Sequence, residues 1–152
     1  MKNYTFTVRG QWQGGRQGTG HITSNGLDTD ISLAPSMDGQ GIGTNPDELL
    51  IAAVQSCYLM TLGIHLNAYS IPFESVSIQS EGIVSEEGGL HFQSITHYPI
   101  LTLEDQATED TFKAAQEVIA SVDQYCMIAK ALKGNVDIAV HPTIVRKGSQ
   151  ES

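Results

Sequence analysis

The chain has 152 residues, 40% hydrophobic and 16% charged, with eight Lys and Arg against seventeen Asp and Glu for a net charge of −9. That length is a soft prior for one domain over residues 1–152 and suffices to bury about two-thirds of the unfolded surface. So acidic a balance excludes a nucleic-acid or anionic-membrane partner, because phosphates need clustered cations. A charged fraction below the usual quarter points to surface hidden against a second subunit.

The opening stretch "MKNYTFTVRGQWQGG" turns polar at once, which is no secretory signal. No apolar run approaches the ~18 residues needed to cross a bilayer, so the expected compartment is the cytoplasm. Tyr4, Phe6 and Val8 alternate with polar residues, as one face of a half-buried strand does. "GGRQGTGHITSNG" reads as a hairpin tip and returning strand, "LDTDISLA" as a further strand, and residues 35–43 as a loop. A helix follows. Asn45 suits its N-cap and Pro46 its first position, while Asp47 and Glu48 favour the positive end of its dipole. From there to about Ala68 the chain is nearly free of charge, the pattern of a helix buried on almost every side.

"FESVSIQSEGIV" and "LHFQSITHYPILTLE" alternate again around the turn "SEEGG". A second helix is expected from about Thr108 to Ser121, with an interruption at residues 123–125. The short helix "CMIAKAL" then stops at Gly134, a suitable C′ residue. "VDIAVHPTIVR" closes the order β-β-β-α-β-β-α-α-β, and residues 147–152 form a loose tail. Strands in antiparallel runs make this α+β.

Two cysteines stand 69 residues apart, both on helical segments. Cys57 lies mid-helix, where a buried and inert thiol is the plain reading. Cys126 opens the short helix, whose free N–H groups favour a thiolate and lower its pKa. Arg16, in "GGRQG", is an isolated cation on a flexible tip, ordinarily a solvated charge. Asp47 and Glu48 read locally as helix-start acids. The five histidines show no metal-ligand spacing, and nothing nominates one of them as the base of a cysteine hydrolase. "GQGIG" lacks the ending of a phosphate loop.

Four stretches in order, "GGRQG", "GIGTNPDELLIAAVQSCY", the hairpin pair and "CMIAKALKGNVDI", resemble the organic hydroperoxide resistance and osmotically inducible proteins, the Ohr/OsmC family. The specific part is Asn-Pro-acid-x-Leu with a cysteine eleven residues after the proline, here Pro46 to Cys57. The resemblance implies antiparallel sheets around a long central buried helix in an intertwined homodimer. It implies a thiol peroxidase for organic hydroperoxides that uses neither metal nor organic cofactor. Cys57 is then peroxidatic and Cys126 resolving, with Arg16 holding the thiolate and Asp47, or Glu48 beside it, orienting Arg16. A dithiol of the lipoyl type regenerates the pair. Two positions depart from the family's usual pattern: Asp47 stands for Glu, and Met127 for the proline that often follows the second cysteine. The alternative is a non-catalytic or weakly active relative that binds a small apolar ligand.

Overall fold

The first ladder of backbone hydrogen bonds starts at Arg9 rather than at the N-terminus, in a computed structural model that describes residues 1–148. The chain forms two compact units, Met1–Leu49 and a second that begins at Leu50. In the first, β1 (Arg9–Gln13), β2 (Thr19–Thr23) and β3 (Asp28–Ile31) make an antiparallel sheet in that order. The expected strand face of Tyr4, Phe6 and Val8 is corrected: these side chains are 73%, 88% and 61% exposed and lie outside any strand. The reason lies in the partner. Arg9 pairs with Thr23, the last residue of β2, after which the chain turns through Ser24–Leu27, so among the described residues no strand lies beside residues 1–8.

A short 3₁₀ turn, Pro35–Met37, leads through Gly41 and Gly43, both at positive φ, to Thr44, which bridges Ile31 in parallel. Helix α1 (Pro46–Ala68) then starts at the expected cap, with the Glu48 N–H donating to Asn45 Oδ1 at 2.9 Å. Its buried residues, Val54, Tyr58, Leu62 and Leu66, recur every four positions and so form one stripe. Burial on every side is not what a single chain shows, because Met60 and Ile64 on another face are 69% and 67% exposed. The apolar length was also undercounted. Polar Gln55, Ser56 and Thr61 interrupt the run, yet α1 is long and apolar enough to span a bilayer.

In the second unit Tyr58, Leu62 and Leu66 of that stripe pack with Leu101, Leu103, Ala115, Val118 and Ile119. Here β4 (Phe73–Ser85) and β5 (His91–Leu103) form a long antiparallel hairpin, and α2 runs Glu109–Ser121, capped by Thr108. A 3₁₀ turn, Val122–Tyr125, and α3 (Met127–Leu132) follow. The expected single closing strand is two, β6 (Asp137–Val140) and β7 (Thr143–Arg146), both parallel to β5. Parallel pairing follows from the helical crossover that separates them from β5. The split falls where two prolines meet: His141-Pro142 lies opposite Tyr98-Pro99, and proline donates nothing to a ladder. Lys147, placed in the loose tail by sequence, is tied down by its N–H to the Leu103 carbonyl at 2.7 Å and its Nζ to Glu74 at 3.3 Å. The rest of that tail from residue 149 lies outside the described residues.

One polar chain crosses this core. Gln55 Nε2 donates to Ser80 Oγ at 3.0 Å, and Ser80 Oγ lies 2.6 Å from His97 Nδ1. Burial lowers the His97 pKa, against the raising field of Asp123. The unfolded histidine therefore takes up its proton near pH 6.5, while the folded one does so only at lower pH. Stability held above pH 6.5 is lost as pH falls below it, at about 1.4 kcal/mol for each tenfold difference in proton affinity. Urea unfolding at pH 7.5 and below 6.5 is expected to show this loss, and His97→Gln to flatten it. An unchanged slope in the variant would assign the loss to other groups.

Candidate functional site

The second unit brings the two cysteines together. Cys126 is 1% exposed and belongs to an apolar cluster with Val54, Ile95 and Val136, against which half-buried Cys57 packs. The helix face decides this on one side: Cys57 lies next to the buried stripe of α1, three residues beyond Val54. On the other side Cys126 is the N-cap of α3, with the Ala129 N–H pointing at its sulfur across 3.4 Å.

The two thiols differ in acidity. Burial raises the Cys57 pKa. Polar groups around the sulfur, the Ile128 N–H first, then the Cys126 thiol, Thr61 and the Met127 N–H, outweigh it, and the net direction is down. Burial also raises Cys126, and its bond to Cys57 raises it further, since a thiol that donates to a neighbouring sulfur resists losing its proton. The lowered pKa expected for Cys126 from its place at a helix start is thus corrected. The N–H groups of that first turn are divided between two sulfurs: Met127 serves Cys57, Ala129 serves Cys126, and Ile128 acts on both. Met127 contributes here in a way proline has no means to, because proline carries no N–H.

Thr61, one turn along from Cys57, was not singled out by sequence, although an i, i+4 hydroxyl is a legible signal. Its Oγ donates to the Cys57 carbonyl at 2.7 Å and lies within reach of the sulfur. His65 continues the same face, its Nδ1 2.9 Å from the Thr61 carbonyl.

The first unit holds the other three expected residues. Arg16 is exposed, and its Nη1 donates to the Met37 carbonyl at 3.0 Å. Neighbouring Gln17 bonds Asp38, and Gln40 Nε2 donates to the Gln17 carbonyl at 2.9 Å, so the glycine-rich tip is fastened to the loop after the 3₁₀ turn. Glu48 is occupied at the helix start, where its Oε1 accepts from Asn45 Nδ2 at 3.0 Å and Thr44 Oγ1 at 3.2 Å, a reciprocal cap. Asp47 is half-buried and is not engaged in that cap. Among the described residues neither acid forms an ion pair with Arg16. His21 is held between Asp30 and Asp28, which raise its pKa.

Comparison with known proteins adds an independent line. A family profile described as OsmC-like protein matches residues 38–141. The uncharacterized protein YmaD of Bacillus subtilis is 34% identical over 95% of this chain and 97% of its own. The organic hydroperoxide resistance protein OhrB of Bacillus subtilis is 30% identical over 88% of this chain and 94% of its own. The OhrB crystal structure superimposes with a TM-score of 0.66 at 26% identity, covering 91% of this chain and 98% of that one.

Proposed function

Since the chain belongs to the OsmC-like protein family, we propose that it is a cysteine-based peroxidase that reduces organic hydroperoxides to alcohols. One observation carries the reading: the two cysteines share one apolar cluster, and each acts on the other's acidity, with Cys57 displaced down and Cys126 up. Cys57 supplies the thiolate, which is the nucleophile. It attacks the outer oxygen of ROOH; the O–O bond breaks, and the alkoxide takes a proton and leaves as ROH. The sulfenic acid left on Cys57 condenses with the Cys126 thiol, forming the S–S bond and releasing water. A dithiol, of the lipoyl type by family likeness, then returns two electrons and two protons.

Arg16 keeps the role given by its place in the family's pattern, a cation for the thiolate. Of the two acids, Glu48 is spent on the helix cap, so Asp47 is assigned the task of orienting that cation. The half-buried side chains of Leu50, Ile51 and Phe92 around the pair suit an alkyl or lipid substrate in the cytoplasm. Three features support a homodimer: the exposed alternation of Tyr4, Phe6 and Val8, the exposed stripe of Ala52, Ser56, Met60 and Ile64, and the outer edge of β4, unpaired among the described residues. Light scattering that returned the mass of one chain would remove the dimer.

Cumene hydroperoxide added to the reduced protein tests the activity. Both thiols are expected to disappear, and non-reducing digestion to yield a Cys57–Cys126 peptide. Two thiols that survive excess hydroperoxide would put a non-catalytic ligand binder in its place.

A further inference from the structure

Tyr125, immediately before the resolving cysteine, rests its ring on His65, with centroids 4.8 Å apart and planes at 34°. We propose that this stack is a latch that positions Cys126 against Cys57, so that it governs how readily the pair closes into a disulfide. The part concerning turnover rests on the peroxidase reading; the part concerning disulfide stability does not.

The segment has few other ties. Val122 and Cys126 are buried at 0% and 1%, and they fix its two ends in separate apolar clusters. Between them Gln124 is exposed and Tyr125 is 57% exposed. The Cys126 N–H reaches the Asp123 carbonyl at 3.2 Å, the long end for such a bond, and the Ala129 N–H caps its sulfur at 3.4 Å. Met127, next in line, is 68% exposed and leaves the backbone free of the ring that a proline would impose.

His65 is well suited to anchor such a segment. Its Nδ1–H donates to the Thr61 carbonyl at 2.9 Å, which sets the ring's orientation, and Thr61 is bonded in turn to the Cys57 carbonyl at 2.7 Å. Residues 57, 61 and 65 therefore share one face of α1, with Cys57 and His65 about 12 Å apart along the axis. One helix face thus meets two successive residues of the segment: His65 meets Tyr125, and Cys57 meets Cys126. Disulfide closure needs the two Cβ atoms about 3.8 Å apart, so a small drift of the segment matters. A latch two side chains wide limits that drift without crowding the sulfurs.

Tyr125→Ala, Tyr125→Phe, His65→Ala and the double alanine variant test this, each checked for an unchanged circular dichroism spectrum. Diamide, which takes up two electrons and two protons, forms the disulfide without any peroxidase activity. Equilibration of that disulfide with dithiothreitol then gives its relative stability. Tyr125→Ala is expected to lower this constant about three- to tenfold, as the loss of an aromatic pair would. Tyr125→Phe should keep the parent value, and the double variant should be no worse than either single one. After cumene hydroperoxide, Tyr125→Ala is expected to accumulate Cys57 sulfinic acid, formed when a second hydroperoxide oxidises the waiting sulfenic acid. A parent-like disulfide constant in Tyr125→Ala, or a loss equally large in Tyr125→Phe, overturns the latch. Should the parent form the disulfide with diamide but not with hydroperoxide, the peroxidase reading falls, and the dithiothreitol series still decides the latch.

Discussion

Replacement of Cys57 by serine is expected to bring hydroperoxide reduction down to the uncatalysed background, a fall of roughly a thousandfold or more. The thiolate is what the surrounding groups stabilise: the Ile128 and Met127 N–H groups and the Cys126 thiol favour negative charge on that sulfur. An alcohol in the same place stays protonated near neutral pH, and its oxygen is a poor nucleophile toward a peroxide. Cys126→Ser separates the second step from the first. Serine is a good N-cap, so the bond from the Ala129 N–H survives and α3 keeps its start. The variant is expected to consume one equivalent of hydroperoxide rapidly and then stop turning over. With no second thiol to trap the sulfenic acid, mass spectrometry should find Cys57 carrying two added oxygens. Full activity in Cys57→Ser would show that the nucleophile lies elsewhere. Sustained turnover in Cys126→Ser would show that the resolving thiol comes from the reductant.

Much of the framework was legible because its signals are local. Asn45 before Pro46, Thr108 before α2 and Gly134 at φ +90° after α3 act within a few residues, and each stands where sequence placed it. Pairing is not local. Tyr4, Phe6 and Val8 alternate as a strand should, but alternation does not supply a neighbour. The parallel placement of β6 and β7 depends on a crossover of more than thirty residues between β5 and β6. The coincidence of Pro99 with Pro142 becomes visible only once the register is known. The candidate site divides in the same way. Both cysteines stand out by rarity, yet their contact is a property of the fold, suggested beforehand only by family likeness. The acidity of Cys126 was misread for a related reason: the donors at a helix start were credited to the residue in sequence with them, whereas two sulfurs compete for them in space. Arg16 likewise finds its carbonyl partner 21 residues away.

Gly43→Ala is expected to cost roughly 3 kcal/mol or more, the largest stability loss from adding one methyl group at a loop position. The sequence offered "GQGIG" only as a failed phosphate loop, and the fold gives it a different purpose. Residues 42–44 run against the end of β3: the Ile42 N–H donates to Ser32 Oγ at 2.7 Å, Thr44 N–H to the Asp30 carbonyl at 2.9 Å, and Ser32 N–H to the Thr44 carbonyl at 3.1 Å. Gly43 sits between these bonds at φ +70°, and a Cβ there would meet the Asp30 backbone carbonyl and come within 2.8 Å of the Asp30 Cβ. Two costs combine. The left-handed conformation disfavours any L side chain by about 1–2 kcal/mol, and relieving the collision breaks the bridge that delivers Thr44 and Asn45 to the start of α1. Gly88 separates them, since at φ +73° it has the same backbone conformation with nothing within 4 Å of its Cβ position. Urea unfolding of Gly88→Ala should therefore show the conformational cost alone, and Gly43→Ala a loss severalfold larger. Equal losses would mean that β3 yields to the added methyl group, and that the close approach does not fix where the helix bearing Cys57 begins.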